Sequence, residues 1–183
     1  MRHLGMLFIV AAMGLMSCTQ SIYPLFHEKD LVFDEKLLGS WGDGDDTWTF
    51  ERAVSTKKRK RPANAYLVTV REGDTVELLQ AHLGYIGDYA FLDLFLDRSS
   101  DKSLPLHFIY RIVVEPDSLR LGLLGDKWLD ELKKAEKDKL RLDTVGGNDV
   151  SLASTATLQE ILRKHYRDDP TTVQDMGALE RVK

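Results

Sequence analysis

Cysteine is almost missing: Cys18 is the only one in 183 residues. An internal disulfide is therefore impossible, and thiolate zinc clusters and CxxC redox chemistry are excluded with it. A long hydrophobic run is missing too. A membrane-spanning helix needs roughly 20 apolar residues, whereas the longest candidate, residues 4–16, has 13. Neither sign of charge is in large excess. The net charge of −4 gives no general attraction to nucleic acid or to an anionic membrane. The 5 histidines include no pair at helical i, i+4 spacing and no HExxH, so a helical zinc site is not encoded. A phosphate-cradling GxxxxGK loop, internal repeats and low-complexity blocks are also absent. What remains is 43% hydrophobic and 30% charged, an ordinary composition for one globular domain.

The amino terminus carries the strongest signal. Arg2 gives a positive start, and the 13 residues of 4–16 that follow carry no charge. A run of about 7–15 apolar residues suits the core of an export signal. Next come Leu15, Met16, Ser17 and Cys18. This run resembles the bacterial lipobox, in which an aliphatic residue, a variable one and a small one precede the cysteine that receives lipid. Met16 is larger than the usual residue at its position. The resemblance implies a signal peptide over 1–17, cleavage before Cys18, and palmitate-type acyl chains at a mature amino terminus. Several chains make a lasting anchor where one binds reversibly. Thr19, not aspartate, follows the cysteine, which in lipoproteins of enteric type favours the outer membrane. Cleavage removes Arg2 and no acid, leaving 24 basic against 29 acidic side chains, a balance of −5. Residues 18–34, with Pro24 and no period, read as a lipidated terminus and tether whose end Leu31, Val32 and Phe33 pin to the domain, and 35–183 as a single domain.

From residue 37 the pattern is of short strands with period-two alternation. Trp48 and Phe50 alternate with Thr47, Thr49 and Glu51; Tyr66, Val68 and Val70 alternate with Leu67, Thr69 and Arg71. Turn residues such as Glu72-Gly73-Asp74 and Gly87-Asp88 separate further strands over 76–86, 89–96, 106–114 and 118–124. Seven strands joined this way predict a mainly β, antiparallel up-and-down meander. The period then lengthens. Trp128, Leu132 and Ala135 predict one short helix, and Leu158, Ile161 and Leu162 a second, ended by Asp169-Pro170. Between them Gly146-Gly147-Asn148-Asp149 predicts a hairpin, and residues 179–182 a last strand. Strand 89–96 carries Phe91 and Phe95 on the face opposite Leu92 and Leu94, so both faces should be covered, with the second helix outside.

Gly39-Ser40-Trp41 near the start of a meander, with Arg181 near its end, resembles the lipocalin pattern. There a G-x-W tryptophan packs at the closed end of a barrel beneath a late arginine. The resemblance implies a lipocalin-like barrel or half-barrel for 35–183, with Trp41 and Arg181 as that pair. The helix before the last strand and the short strands depart from it. The segments around Trp48 and around His82 and residues 91–94 also resemble a group of bacterial envelope lipoproteins with no assigned activity.

Candidate sites are few. Cys18 is the lipidation site. Lys57, Lys58, Arg59, Lys60 and Arg61 suit contact with an anionic lipid surface, and equally suit a solvated loop. Trp48, Phe50, Tyr66, Tyr85 and Tyr110 suit the lining of an apolar ligand cavity, and equally a filled core. Asp43, Asp45 and Asp46 fall short of the six to eight oxygens calcium takes. His82, Asp93 and Arg111 lie on neighbouring strands, with no nucleophile marked by motif; Asp93, between Phe91 and Phe95, needs a partner, and His82 or Arg111 is expected to supply it. The sequence thus predicts a non-catalytic, lipid-anchored binding or structural module, exported to the cell envelope, without cofactor or metal and with no nucleic-acid partner. The alternatives are a carrier of a small apolar ligand such as a fatty acid and, third, an enzyme of unknown type.

Overall fold

A computed structural model describes residues 20–43, 46–57, 60–96, 106–145, 147–169 and 172–182. The expected signal peptide and Cys18, together with Lys58, Arg59 and Asp45, lie outside the described residues. The strands are β1 Gln20–Ser21, β2 Gly39–Asp43, β3 Asp46–Arg52, β4 Ala65–Glu72, β5 Thr75–Ile86, β6 Tyr89–Leu96, β7 His107–Val114, β8 Ser118–Leu124, β9 Leu142–Val145, β10 Asn148–Ser151 and β11 Val173–Glu180. The helices are α1 Asp126–Ala135, α2 Lys137–Leu140 and α3 Thr155–His165.

The fold is mainly β. Strands β2 to β8 follow one another as an antiparallel meander, and β11 adds antiparallel to β8. All eleven strands belong to one sheet. Strand β7 shares its outer edge: Tyr110 to Val114 pair with β8, while His107 and Phe108 pair with β1. Beyond β1 the sheet continues through β10 to β9, and β1–β10 is a parallel pair. The sheet is not closed into a barrel by a ladder. Its ends, β2 and β11, meet at one bridge between Trp41 and Arg181, beside a Val182 N–H donated to Ser40 O at 2.9 Å.

Period-two alternation divides the side chains into two cores. Leu79, Ala81 and Leu83 of β5 join Leu92, Leu94, Tyr110 and Ile112 in one. Phe91 and Ile109, on the opposite face of β6 and β7, join Leu158, Ile161 and Leu162 of α3 in the other. On this face of β6, Phe91 has the expected helical cover, whereas half-buried Phe95 lies against His82 and His107. Ser154 caps α3, its Oγ accepting from Thr157 N at 3.3 Å. Arg163, Lys164 and His165 occupy the last turn, where cations face the negative end of the helix dipole.

Four expectations need correction. Residues 20–34 are held well before their expected pinned end: beside the Val32–Leu83 bridge and Phe33 stacked on Tyr66, Leu25 and Phe26 are buried, because apolar side chains this close to a two-sided sheet gain more by covering it. Three helices form, not two, since α2 buries Leu140 before Arg141, at φ +50°, ends it. Helix α3 stops at His165, short of Asp169, because Tyr166 turns extended (φ −67°, ψ 135°) and packs its ring on Tyr89 and Phe91. Strand β11 begins at Val173 rather than near 179, held by the β8 ladder despite its weak alternation. Among the described residues no helix is long and apolar enough to cross a membrane.

Candidate functional site

The segment that follows the expected lipid site is fastened at every step. Gln20 pairs with Phe108 on one side and Val150 on the other. The Ile22 N–H donates to Ser151 O at 3.1 Å. From α3, Thr155 Oγ1 donates to Pro24 O at 2.6 Å and Gln159 Nε2 to Leu25 O at 2.9 Å. Phe26 lies on Gly84 of β5, where an added Cβ would stand 2.6 Å from the ring; the missing side chain is the seat. The Val32 N–H closes the segment onto Leu83 O at 2.8 Å.

Beneath it lies a buried polar cluster. Asp93, 0% exposed, accepts from the Leu25 N–H and from His107 Nδ1, both at 2.8 Å. The expectation that His82 or Arg111 would partner Asp93 is corrected. His82 is Asp93's register partner across the β5–β6 ladder, but its Nε2 faces Gln80 Nε2 at 3.0 Å. The amide donates there, so the ring proton sits on Nδ1, which has no hydrogen-bond partner among the described residues. Burial holds the His82 pKa below its usual value, with Asp93 opposing. Phe95 stacks between the two imidazoles, 5.1 Å from His82 and 4.7 Å from His107. An acid–imidazole pair can act as a general base when the imidazole reaches a reacting proton. Here the carboxylate's second donor is a backbone amide, so the pair fastens chain to sheet.

Four of the five aromatic candidates come together. Trp48, Phe50, Tyr66 and Tyr110 share the inner core, with Phe50 6.3 Å from both Trp48 and Tyr66. The Tyr66 hydroxyl donates to Asp34 O at 3.1 Å and accepts from Asp34 N at 2.6 Å; burial pushes its phenol up to about 12. Tyr85 is 53% exposed, because it sits where β5 runs out past the core, and it does not line that interior. Trp41, Leu79, Leu92 and Ile112 belong to the same core.

In the basic loop, Lys57 and Lys60 are exposed. Arg61 folds back: its guanidinium donates to Val54 O at 3.1 Å and its backbone N–H to Ser55 Oγ at 2.9 Å. Of the acidic turn, Asp46 Oδ1 accepts from Gly73 N at 3.1 Å, a turn-bracing role. Among the described residues no group of three or more His, Cys, Asp or Glu is placed to hold a metal ion.

Two features carry no sequence signal. An open groove of about 520 Å³ is lined by Arg111, Arg120, Gly122, Asp168, Val173 and Gln174. Its cations are answered locally: Arg111 pairs with Asp168 at 3.3 Å and donates to Ala90 O and Ile112 O, while Arg120 pairs with Glu115 at 3.1 Å. Glu136, between α1 and α2, accepts from Lys164 at 2.7 Å and His165 at 2.6 Å. Those hydrogen bonds hold its carboxyl down at about 2. The Arg111–Asp168 pair and the Glu136 pairs with Lys164 and His165 join residues 57, 28 and 29 positions apart, so spacing does not announce them. Comparison with known proteins finds no family model, no curated protein and no solved structure that matches this chain.

Proposed function

We propose that this protein is a lipid-anchored module of the bacterial cell envelope, acylated on Cys18 and favouring the outer membrane, which binds or braces rather than catalyses. The observation that carries this reading is the position of the sole cysteine, directly after an uncharged export-type core and the small Ser17. The described fold supports it. The fastening of residues 20–34 across β5 and β6 suits a protein that must transmit its anchor's position to its domain.

The domain itself reads as a lipocalin-like half-barrel. Arg181 stands 4.0 Å over the Trp41 ring and donates to Leu38 O and Lys36 O. Gly39, at φ +114°, leaves room for that guanidinium. The G-x-W and late-arginine pairing is thus supported by a contact between the two ends of the meander. Trp41, Trp48, Phe50 and Tyr66 pack together in the inner core, which weighs against the carrier reading, since a carrier needs about 300 Å³ of ligand space or more.

The test is acylation in the native host. Wild type should take up labelled palmitate and show the mass of an acylated Cys18 amino terminus, while Cys18→Ser should remain a full-length, unlipidated precursor. Palmitate incorporation into Cys18→Ser would refute the anchor. Native mass spectrometry of the soluble domain should show no retained apolar ligand; a retained fatty acid would restore the carrier.

A further inference from the structure

We propose that His82 is an acid-sensitive latch for the amino-terminal segment: a proton taken up by its imidazole releases residues 25–32 from the outer face of β5 and β6. The inference goes beyond the lipid anchor and does not depend on it. The segment touches both flanks of His82. Along β5, Phe26 lies on Gly84, two residues on and therefore on the same face. Across the ladder, Asp93 is the register partner of His82 and accepts from the Leu25 N–H at 2.8 Å. Phe95 stands edge-on to the imidazole, 5.1 Å between centroids. His82 is 9% exposed under this cover.

The site accepts a neutral ring and has no seat for a cation. Nε2 already accepts from the Gln80 amide at 3.0 Å, so a second ring proton would face another donor. Nδ1, which carries the first proton, has no hydrogen-bond partner among the described residues. The ionisable groups that act on the ring are Asp93 on β6, His107 on β7 and Glu28 in the segment; β4 sets Ala65 opposite it. Asp93 favours the charged ring, but its carboxylate is already taken by the Leu25 N–H and His107 Nδ1. His107 opposes a second cation, and Glu28 is exposed, where solvent weakens its pull. Burial is the largest of these effects and holds the His82 pKa below its usual 6.5. Stability from such a histidine is complete above the unfolded value and lost as pH falls below it toward the folded one. Protonation therefore favours whichever form lets water reach the ring. The segment yields first, because single hydrogen bonds hold it, at Leu25 and Val32 among others, whereas β5 is laddered on both sides.

Amide hydrogen exchange tests this in the mature protein, purified in detergent from its host, with each rate divided by that of an unstructured chain at the same pH. Leu25 should be less protected than Val68, which sits between β3 and β5, since the segment opens without the sheet. Lowering the pH from about 7.5 to about 5.5 should cut the Leu25 protection about tenfold, the limit for an open form that titrates near 6.5. In His82→Gln that fall should disappear. Equal protection of Leu25 and Val68, a Leu25 value that does not change with pH, or a fall that survives His82→Gln overturns the latch. Should the variant not fold, the wild-type His82 ring decides through its nitrogen shifts: a titration midpoint below about 6.5 upholds the latch, and one at or above that value overturns it.

Discussion

Gly84 is the seat of the anchor segment, and its substitution gives a sharp test of that arrangement. In Gly84→Ala the new Cβ would stand 2.6–2.7 Å from three atoms of the Phe26 ring. Ordinary carbon contacts begin near 3.5 Å, so the ring must retreat by about 1 Å. Phe26 is 2% exposed and packed in the outer core, which offers no free volume for that retreat. Overpacking of this kind costs about 1–3 kcal/mol. Phe26→Ala alone should cost about 3–5 kcal/mol. In the double variant the added methyl enters the vacated space and removes a strand glycine, a gain of about 0.5–1 kcal/mol. The two substitutions should therefore couple by roughly 2–3 kcal/mol, read from urea unfolding of the four members of the cycle in the chain from Thr19 onward. Gly84→Ala should also speed exchange of the Leu25 amide. Additivity within about 0.5 kcal/mol would show that Phe26 does not lie on Gly84 in solution, and the seat would have to be abandoned.

Asp93→Ala leaves the Leu25 N–H and His107 Nδ1 unpaired in a buried site, and should lower stability by about 2–5 kcal/mol; a urea midpoint within error of wild type would contradict the cluster. Glu136 has a folded pKa depressed to about 2 against 4.5 unfolded, chiefly by its hydrogen bonds from Lys164 and His165. Its contribution is thus complete above pH 4.5 and lost as pH falls toward 2. Glu136→Gln should flatten the stability–pH curve over that window, and an unchanged slope would refute the pairing. Replacing Lys57, Lys58, Arg59, Lys60 and Arg61 with glutamine should change stability by no more than about 0.5 kcal/mol per site, with Arg61 the largest because its guanidinium holds Val54 O. Vesicle binding by the unlipidated domain should be unaffected, and a salt-sensitive loss would make that loop a lipid-binding site.

Much of the fold is legible locally. The bounds of β6 and β8 and the glycine turn before β10 follow from alternation and turn chemistry, which act over a few neighbouring residues. The placement of α3 outside the sheet was also legible, because Phe91 cannot be left wet and Leu158, Ile161 and Leu162 form one stripe. The candidate sites were read less fully. Tyr85 shares the alternation of Tyr66 but lies beyond the core, since alternation gives a side chain's face and not its height on the sheet. Asp93 plainly needed a partner, yet His107 and a backbone amide of residue 25 supplied it. The Arg111–Asp168 and Glu136–Lys164 pairs had no signal at all.

The sequence by itself determined the strand periods, the two-sided character of β6 and the isolated cysteine behind an export-type core, because these are one-dimensional patterns set by side-chain spacing and polarity. Only the tertiary structure decided that residues 20–34 are part of the sheet's cover, that Phe26 sits on Gly84, and that β1 runs parallel beside β10. Those choices depend on which surface is left open once seven strands have paired. Pairing between residues 130 positions apart, such as Gln20 and Val150, is set by that remaining surface and not by any local preference of the chain.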